Sequence, residues 1–305
     1  MAVPTLDQLR SGGKRSLAEG LTLAETRAGD SAVVSLLDAA CAAPKGDVIG
    51  ITGPPGVGKS TLTNALIARW RAAGLTVGVI AVDPSSRYTR GALLGDRTRI
   101  RTNPEDDGIF VRSMAARDRL GGLSAETVAA MVLMRAVYDR VIVESVGIGQ
   151  SEADIGFVAD CVILCVQPGS GDSLQYMKAG ITELPDIFVV TKGDTGKPAM
   201  RARADVEGAL GLNAPSGRKP AVLVVSSTAA EGFDGLDEAV NDMLTATASQ
   251  RDHRRSVQED AWVNDAIRER FGRDGLARMK RGNEGPSRKG PFTRIAQVTQ
   301  ALRPE

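Results

Sequence analysis

Stretches rich in apolar residues recur along the middle of the chain, and each is followed by glycine or polar residues. They are residues 47–52, 77–82, 141–143, 160–167, 187–190 and 221–225. Short apolar runs with polar boundaries are typical of strands buried on both faces, as in parallel sheets. A further short run, residues 109–112, is a weaker strand candidate. Segments with apolar residues at helical spacing lie between these runs, so the pattern predicts an α/β fold with a mostly parallel sheet flanked by helices.

Helical patterns also lie before and after this region. Residues 13–42 contain two stretches of helical spacing separated by Ala28-Gly29-Asp30-Ser31, which predicts an N-terminal helical hairpin. Residues 124–138 and the segment after Gly235 have the same periodicity. We therefore divide the chain into an N-terminal helical segment, a central domain and a C-terminal helical extension. The predicted boundaries are 1–43, 44–248 and 249–305.

The C-terminal extension combines many charges with a narrow apolar stripe. Trp262, Ile267 and Phe271 lie near helical spacing among arginine and acidic residues. This pattern fits a helix that leaves the core toward a partner subunit, and equally a helix that folds back on its own domain. Residues 278–291 are rich in Gly, Pro, Lys and Arg, which predicts a flexible connector before a last short helix.

Composition narrows the possible partners. Lys+Arg number 38 against 37 Asp+Glu in 305 residues, so no basic field favours nucleic acid or an anionic membrane.

Cys161 and Cys165 lie in an apolar strand pattern and, with Cys41, are predicted to be reduced core thiols. The first ten residues lack a signal-peptide core, and no apolar run is long enough to span a membrane. We expect a soluble, cytoplasmic protein.

Residues 53–61 carry the most specific local chemistry. Gly53, four further residues and Gly58-Lys59-Ser60 satisfy the P-loop pattern, with an apolar strand before it and an amphipathic helix after it. Glycines allow successive N–H groups to surround an anion at a helix N-terminus. Lys59 is predicted to neutralise the outer phosphates, and the Ser60 hydroxyl to ligate Mg²⁺. The predicted phosphate-binding residues are Gly53, Pro54, Pro55, Gly56, Val57, Gly58, Lys59, Ser60 and Thr61.

Two acidic residues come directly after buried strands. Asp83 follows the second strand and Glu144 follows the run 141–143. Open α/β sheets bind ligands at the carboxyl ends of their strands, so both carboxylates are candidates for the Mg²⁺ shell. For Asp83 an N-cap role in the next turn is equally common in an Asp-Pro-Ser sequence. Gly147, three residues after Glu144, could offer its N–H to a terminal phosphate oxygen.

The tetrapeptide Thr191-Lys192-Gly193-Asp194 follows another strand. The Asp194 carboxylate can accept the ring N–H and exocyclic amine of guanine, while the Lys192 stem packs along the base. Adenine does not offer that donor pair. The last strand is followed by Ser226, Ser227, Thr228 and Ala229, whose backbone groups could meet the guanine carbonyl or cap a helix.

Two polar segments lie near this predicted site. Residues 87–107 are rich in charge, include Asp96, and suggest a mobile loop that reaches over the phosphates or simply a solvated surface loop. A glycine-flanked loop at 168–172 leads into a predicted helix with Gln175 and Lys178. It is a candidate for a further moving segment.

Five segments together resemble the MeaB/ArgK family, the G-protein chaperones of adenosylcobalamin-dependent acyl-CoA mutases such as methylmalonyl-CoA mutase. They are residues 53–61, 82–86, 94–99, 144–152 and 168–172. The similarity extends over about residues 13–244 and is weak beyond 250. It implies a SIMIBI-type G domain and a slow GTPase whose switch loops signal to a mutase, gating cofactor loading and protecting the mutase from inactivation.

The resemblance also implies roles for individual residues. The catalytic set would be Lys59, Asp96, Glu144 and Lys178, and the metal set Ser60, Asp83, Asp96 and Glu144. Gln150, Gln175 and Lys178 would belong to the partner-responsive switches, while Lys192 and Asp194 would select guanine. Thr191 replaces the family's asparagine, and its hydroxyl can still bond the neighbouring P-loop backbone.

The resemblance implies Mg²⁺ with GTP or GDP as cofactor, no cobalamin bound by this chain, a mutase partner and a homodimer formed through the C-terminal extension. Three alternatives remain open. A non-enzymatic, nucleotide-gated scaffold whose hydrolysis is incidental would keep partner control when Asp96→Ala abolishes turnover. A nickel-type metallochaperone GTPase would need a metal store, whereas the sequence has one histidine, His253, and no cysteine pair in a loop. A P-loop kinase would prefer ATP over GTP and would need an acceptor substrate.

Overall fold

The computed structural model describes residues 2–84, 100, 102–116, 123–145, 154–169, 185–212, 219–282 and 289–303. In these residues seven strands form one sheet in the order β3-β2-β4-β1-β5-β6-β7, and every neighbouring pair is parallel. The strands are β1 (Asp47–Thr52), β2 (Val77–Pro84), β3 (Ile109–Ala116), β4 (Arg140–Glu144), β5 (Cys161–Val166), β6 (Ile187–Val190) and β7 (Ala221–Val224). The predicted parallel sheet is confirmed, including β3, which is twice as long as the sequence pattern indicated.

Helices precede, separate and follow the strands along the chain, as predicted. They are α1 (Leu6–Ser11), α2 (Gly13–Thr26), α3 (Ser31–Ala42), α4 (Lys59–Ala72), α5 (Ala125–Val137), α6 (Lys197–Leu212), α7 (Phe233–Ala246), α8 (Arg251–Gly282) and α9 (Pro291–Leu302). The two helices of the predicted N-terminal hairpin are present as α2 and α3, but each packs mainly against α5 rather than against the other. The sequence analysis missed α1, although Thr5 and Gln8 form a reciprocal capping box at its start.

The described residues group into two compact units. We call residues 47–124 and 140–249 the sheet unit, and residues 1–46, 125–139 and 250–305 the helical unit. The helix α5 therefore belongs with the two ends of the chain, although it lies between two strands in sequence. Whether the three sequence segments 1–43, 44–248 and 249–305 act as domains stays a prediction.

In the sheet unit, the central strands are buried on both faces. The side chains of β4 and β5 are almost wholly enclosed, and β1 is exposed only at its first residue, Asp47. There Arg140 donates to the Asp47 carboxylate at 2.8 Å, which pairs the starts of β1 and β4. Burial on both faces explains why these strands appear in the sequence as nearly continuous apolar runs.

In the helical unit, the C-terminal segment contains two helices, as predicted, but the connector between them is shorter than the sequence indicated. The flexible connector predicted at residues 278–291 is partly wrong, because α8 continues to Gly282 and α9 begins at Pro291. The carboxylate of Asp38 in α3 accepts from the backbone N–H groups of Phe292 and Thr293, both at 3.0 Å. It thereby satisfies free donors in the first turn of α9.

Candidate functional site

Strand register brings the predicted site residues to one edge of the sheet. Ile51 of β1 and Ala81 of β2 each lie opposite Glu144, the last residue of β4. All three strands run parallel, so their carboxyl ends meet at this edge. The P-loop follows β1 there, and the backbone of Asp83 lies two residues beyond Ala81 along β2. The side chain of Asp83 lies outside the described part of the structure.

The P-loop has the strand–turn–helix geometry that its sequence predicts. It leaves β1 at Gly53, whose φ of 138° is in the left-handed half of the Ramachandran map, and enters α4 after Gly58 with φ 106°. A Cβ on Gly53 would also lie 2.5 Å from the carbonyl oxygen of Cys165. Glycine at position 53 is therefore required both by backbone conformation and by the close approach of β5.

The side chain of Lys59 lies within this loop. Its Nζ donates to the carbonyl oxygens of Gly53 at 2.8 Å and Pro54 at 3.2 Å, and the residue is only 8% exposed. Val57 is buried, whereas Pro55, Gly56 and Thr61 are exposed and Pro54, Gly58 and Ser60 are half-buried. The loop is thus partly open to solvent, lies at the N-terminus of α4 and carries one ammonium group, a combination that suits phosphate binding.

The carboxylate of Glu144 is held by two hydroxyl groups of α4. Ser60 Oγ donates to Oε1 at 2.7 Å, and Thr63 Oγ1 donates to Oε2 at 2.8 Å. Glu144 is 5% exposed. Beside it, Thr52 Oγ1 and Ser145 Oγ are 2.8 Å apart and join the ends of β1 and β4. The sequence analysis missed Thr63, although its spacing of three from Ser60 places both hydroxyls on one helix face.

These oxygens suit magnesium. Mg²⁺ in nucleotide sites is usually held by one or two carboxylates or hydroxyls together with substrate phosphates, not by an all-protein cage. Ser60 and Glu144 supply such oxygens next to the phosphate loop. Among the described residues no group of three or more His, Cys, Asp or Glu forms a metal cage. The hydroxyl and carboxylate oxygens of Ser60 and Glu144 are hard donors of the kind that fit Mg²⁺ shared with a nucleotide.

Burial and the charges near the P-loop change the pKa of the Cys165 thiol. Burial raises the pKa of this thiol from 9.0 to about 12, the ammonium of Lys59 opposes the rise, and the carboxylate of Glu144 adds to it. Cys41, Cys161 and Cys165 are all free of disulfides. Cys161 and Cys165 are fully buried, as the sequence predicted, whereas Cys41 is partly exposed. A buried thiol with a raised pKa is unreactive.

The predicted base-recognition segment lies beside the P-loop. Thr191 Oγ1 donates to the carbonyl oxygen of Val57 at 2.6 Å and is 3.2 Å from that of Val166. The hydroxyl of Thr191 therefore makes the bond to the P-loop backbone that the sequence analysis expected. It connects the phosphate-binding loop to the loop that follows β6.

Lys192 and Asp194 are oriented by Gln167, which the sequence analysis did not select, and by the hydroxyl of Ser226, which it selected only for its backbone. Lys192, with φ 56°, donates from Nζ to Gln167 Oε1 at 2.7 Å. Ser226 Oγ donates to Asp194 Oδ1 at 2.9 Å and accepts from the N–H of Ala229 at 3.0 Å. Ser226 thus joins the Asp194 carboxylate to the turn that contains Ser227, Thr228 and Ala229.

The structure brings together most of the predicted nucleotide-binding residues. The P-loop, Glu144, Lys192 and Asp194 all belong to the sheet unit. Other predicted residues lie outside the described ranges, and their roles stay predictions. These are Asp96, Gly147, Gln150, Gln175 and Lys178.

Comparison with known proteins identifies the family. The model of the family described as "Methylmalonyl Co-A mutase-associated GTPase MeaB" matches residues 17–279. The chain belongs to the MeaB family. GTPase ArgK of Escherichia coli is 38% identical over 269 residues, which cover 85% of this chain and 81% of ArgK. A putative GTPase of Pyrococcus horikoshii is 38% identical over 87% of this chain and 82% of its own length. The resemblance inferred from the sequence is confirmed, and this MeaB-family chain is a P-loop GTPase.

Further similarities carry less detail. Mouse mitochondrial "Methylmalonic aciduria type A homolog" is 35% identical over 72% of this chain and 55% of its own length. The solved structure of a LAO/AO transport system kinase superposes with a TM-score of 0.68 and 28% identity, covering 97% of this chain and 96% of that one. HypB from Helicobacter pylori, solved with nickel, has a TM-score of 0.51 and 16% identity, which shows a shared fold alone.

Within the described residues of this MeaB-family chain, no helix combines the length and apolar character needed to cross a bilayer.

Proposed function

We propose that this GTPase binds Mg²⁺ with GTP and acts as a chaperone of an adenosylcobalamin-dependent acyl-CoA mutase, methylmalonyl-CoA mutase or a relative. In this role GTP hydrolysis gates adenosylcobalamin loading and protects or reactivates the mutase. The observation that carries the nucleotide part is the Thr191–Val57 hydrogen bond, because it fixes the predicted guanine-recognition loop against the phosphate loop. The mutase part is supported by the family to which the chain belongs.

The chemistry follows from residues around the P-loop. Lys59 would transfer its hydrogen bonds from the loop carbonyls to the outer phosphate oxygens and neutralise their charge. Ser60 and Glu144 would hold Mg²⁺, with Asp83 and Asp96 as further members of its shell. When bound, Mg²⁺ would supply positive charge to the oxygens of the terminal phosphates. Water would attack the γ-phosphate in line, aided by positioning and charge neutralisation rather than by a covalent intermediate.

Control by the partner would act through the predicted switch segments that follow β4 and β5 in the sequence. Gly147 would sense the γ-phosphate, while Gln150, Gln175 and Lys178 would respond to the mutase. Asp96 and Lys178 would complete the catalytic site when the partner binds. Intrinsic turnover is then slow, and it rises when the mutase binds.

The remaining features of the proposal concern the whole protein. The chain itself binds no cobalamin, acts in the cytoplasm and forms a homodimer through its C-terminal extension. It binds neither nucleic acid nor membrane. Its formal net charge of +1 supports the absence of a general affinity for polyanions.

The test is a GTPase assay with and without purified methylmalonyl-CoA mutase, combined with transfer of adenosylcobalamin to the apo-mutase. We expect the mutase to raise kcat for GTP and cofactor loading to require GTP. Lys59→Ala should abolish both effects, because the terminal phosphates lose their cation. Unchanged turnover and unchanged loading with an active mutase would contradict the chaperone role. A preference for ATP would instead favour a kinase, and stoichiometric nickel in the purified protein would favour the metallochaperone alternative.

A further inference from the structure

Thr63 is a buried polar residue next to the candidate metal site. It lies in the second turn of α4, its exposure is 0%, and Oγ1 donates to Glu144 Oε2 at 2.8 Å. A threonine inside a helix can satisfy its hydroxyl by bonding a carbonyl of the preceding turn. In α4 the hydroxyl of Thr63 instead donates to a carboxylate on a neighbouring strand.

The two oxygens of Glu144 have different environments. Oε1 accepts from Ser60, which is half-buried and lies at the phosphate loop. Oε2 accepts from Thr63, which is fully enclosed and therefore cannot contact a nucleotide from solvent. Ser60 and Thr63 differ by three positions, so both hydroxyls lie on the face of α4 directed at the end of β4.

We infer that Thr63 is a positioning residue for the carboxylate of Glu144. Its hydroxyl fixes Oε2 and thereby directs Oε1 toward Ser60 and the phosphate loop. The inference rests on the proposed Mg²⁺ and guanine-nucleotide site. Partners of this kind, which hold a metal-binding carboxylate without touching the metal, commonly change metal affinity by about 10- to 100-fold when removed.

A role in folding alone would give a different result. If Thr63 only fills space in the core, Thr63→Val should preserve packing, since valine has nearly the same shape, and should leave the effect of Mg²⁺ unchanged. If Thr63 positions Glu144, the loss of its hydroxyl should weaken the response to Mg²⁺ specifically. Thr63→Ser keeps the hydroxyl and should therefore keep the response.

The measurement is the affinity of the full-length protein for GDP in excess Mg²⁺ and in EDTA, by titration calorimetry. The ratio of the two dissociation constants gives the Mg²⁺-dependent gain without requiring turnover. Thr63→Val should reduce this gain about tenfold, while affinity in EDTA stays within about twofold of wild type. The matched control is Thr127→Val, which changes another fully buried threonine, in the helical unit, and should keep the wild-type gain.

The outcomes separate the inference from the proposed function. A wild-type gain in Thr63→Val would overturn the positioning role. If Thr63→Val does not fold, Thr63→Ala removes the hydroxyl in its place: a gain lower than that of Thr63→Ser supports the role, and an equal gain overturns it. A wild-type protein that does not bind GDP, or binds it equally in Mg²⁺ and EDTA, would overturn the proposed site and this inference together.

Discussion

At the scale of single residues, Thr191 connects two recognition loops. Its hydroxyl reaches the carbonyl oxygen of Val57 in the P-loop at 2.6 Å, and Thr191 is 4% exposed. A buried carbonyl that loses its donor costs roughly 1–3 kcal/mol. The hydroxyl of Thr191 therefore helps to hold the predicted base-binding segment against the P-loop.

Removing that hydroxyl should weaken nucleotide binding. We expect Thr191→Val to raise the Kd for GDP about tenfold, which corresponds to roughly 1.4 kcal/mol, because the P-loop loses a partner that holds it in place. Thr191→Ser retains the hydroxyl and should remain within about twofold of wild type. Equal GDP affinities for the valine and serine variants, measured by calorimetry, would show that the bond does not support binding.

Cys165 offers a second test at this scale. Burial raises the pKa of its thiol from 9.0 to about 12, so ionisation opposes folding. The stability that the protonated thiol contributes is complete below pH 9.0 and is lost as pH rises toward 12. We expect iodoacetamide at pH 8 to modify native Cys165 at least about 100-fold more slowly than the urea-unfolded chain. Mass spectrometry measures both rates, and comparable rates would contradict the enclosed position.

Sequence alone predicted the candidate ligand-binding residues but missed most of the contacts that support them. Lys59 and Ser60 follow from a motif with fixed spacing, and Glu144 follows from its place after a strand. Thr63 and Gln167 carry no motif because their partners are distant in sequence, and Ser226 was predicted for its backbone rather than for its hydroxyl. Ser226, for example, bonds Asp194 across 32 positions. Only the pairing of strands and helices in three dimensions brings such residues together.

At the scale of elements, the helical backbone of α8 is interrupted at Gly272. Gly272 has φ 69° and ψ −166°, a conformation essentially restricted to glycine. A Cβ at this position would meet no atom within 4 Å, so the constraint is in the backbone and not in packing. The sequence predicted a helix here but could not show that it bends at Gly272.

A substitution at this break should destabilise the helical unit. We expect Gly272→Ala to lower the free energy of unfolding by about 1–3 kcal/mol, since alanine disfavours the observed torsions. The matched control is Gly29→Ala in the same unit, where a Cβ also meets nothing within 4 Å and φ is not positive. Its change should stay within about 0.5 kcal/mol. Equal urea-unfolding curves for both variants would contradict a glycine-specific break.

Other elements show that local sequence patterns predict which helices and strands form better than they predict how these elements pack together. Helix α5 was predicted from its periodicity, yet its buried residues surround the whole helix, and it packs with α2 and α3 in the helical unit. No local signal in a helix between two strands shows that it belongs with the chain ends. The parallel sheet was predictable because strands buried on both faces need continuous apolar runs.

At the scale of the whole molecule, every described residue of the candidate nucleotide site lies in the sheet unit, residues 47–124 and 140–249. The helical unit gathers α1–α3, α5, α8 and α9 from three separate parts of the chain. Nucleotide selection can therefore be tested on the intact protein through substitutions confined to the sheet unit. These substitutions leave unchanged the C-terminal helices α8 and α9, for which we propose a role in dimerisation.

The most direct test of the account is calorimetry in Mg²⁺ buffer with GDP, ADP and xanthosine diphosphate, on wild type and Asp194→Asn. Wild type should bind one GDP per chain and bind ADP at least about 100-fold more weakly, because only guanine offers its donor pair to the Asp194 carboxylate. Asp194→Asn presents an amide donor instead, so affinity should shift from GDP to xanthosine diphosphate. No heat with GDP, or equal affinity for GDP and ADP, would contradict a guanine-nucleotide site built on this sheet edge.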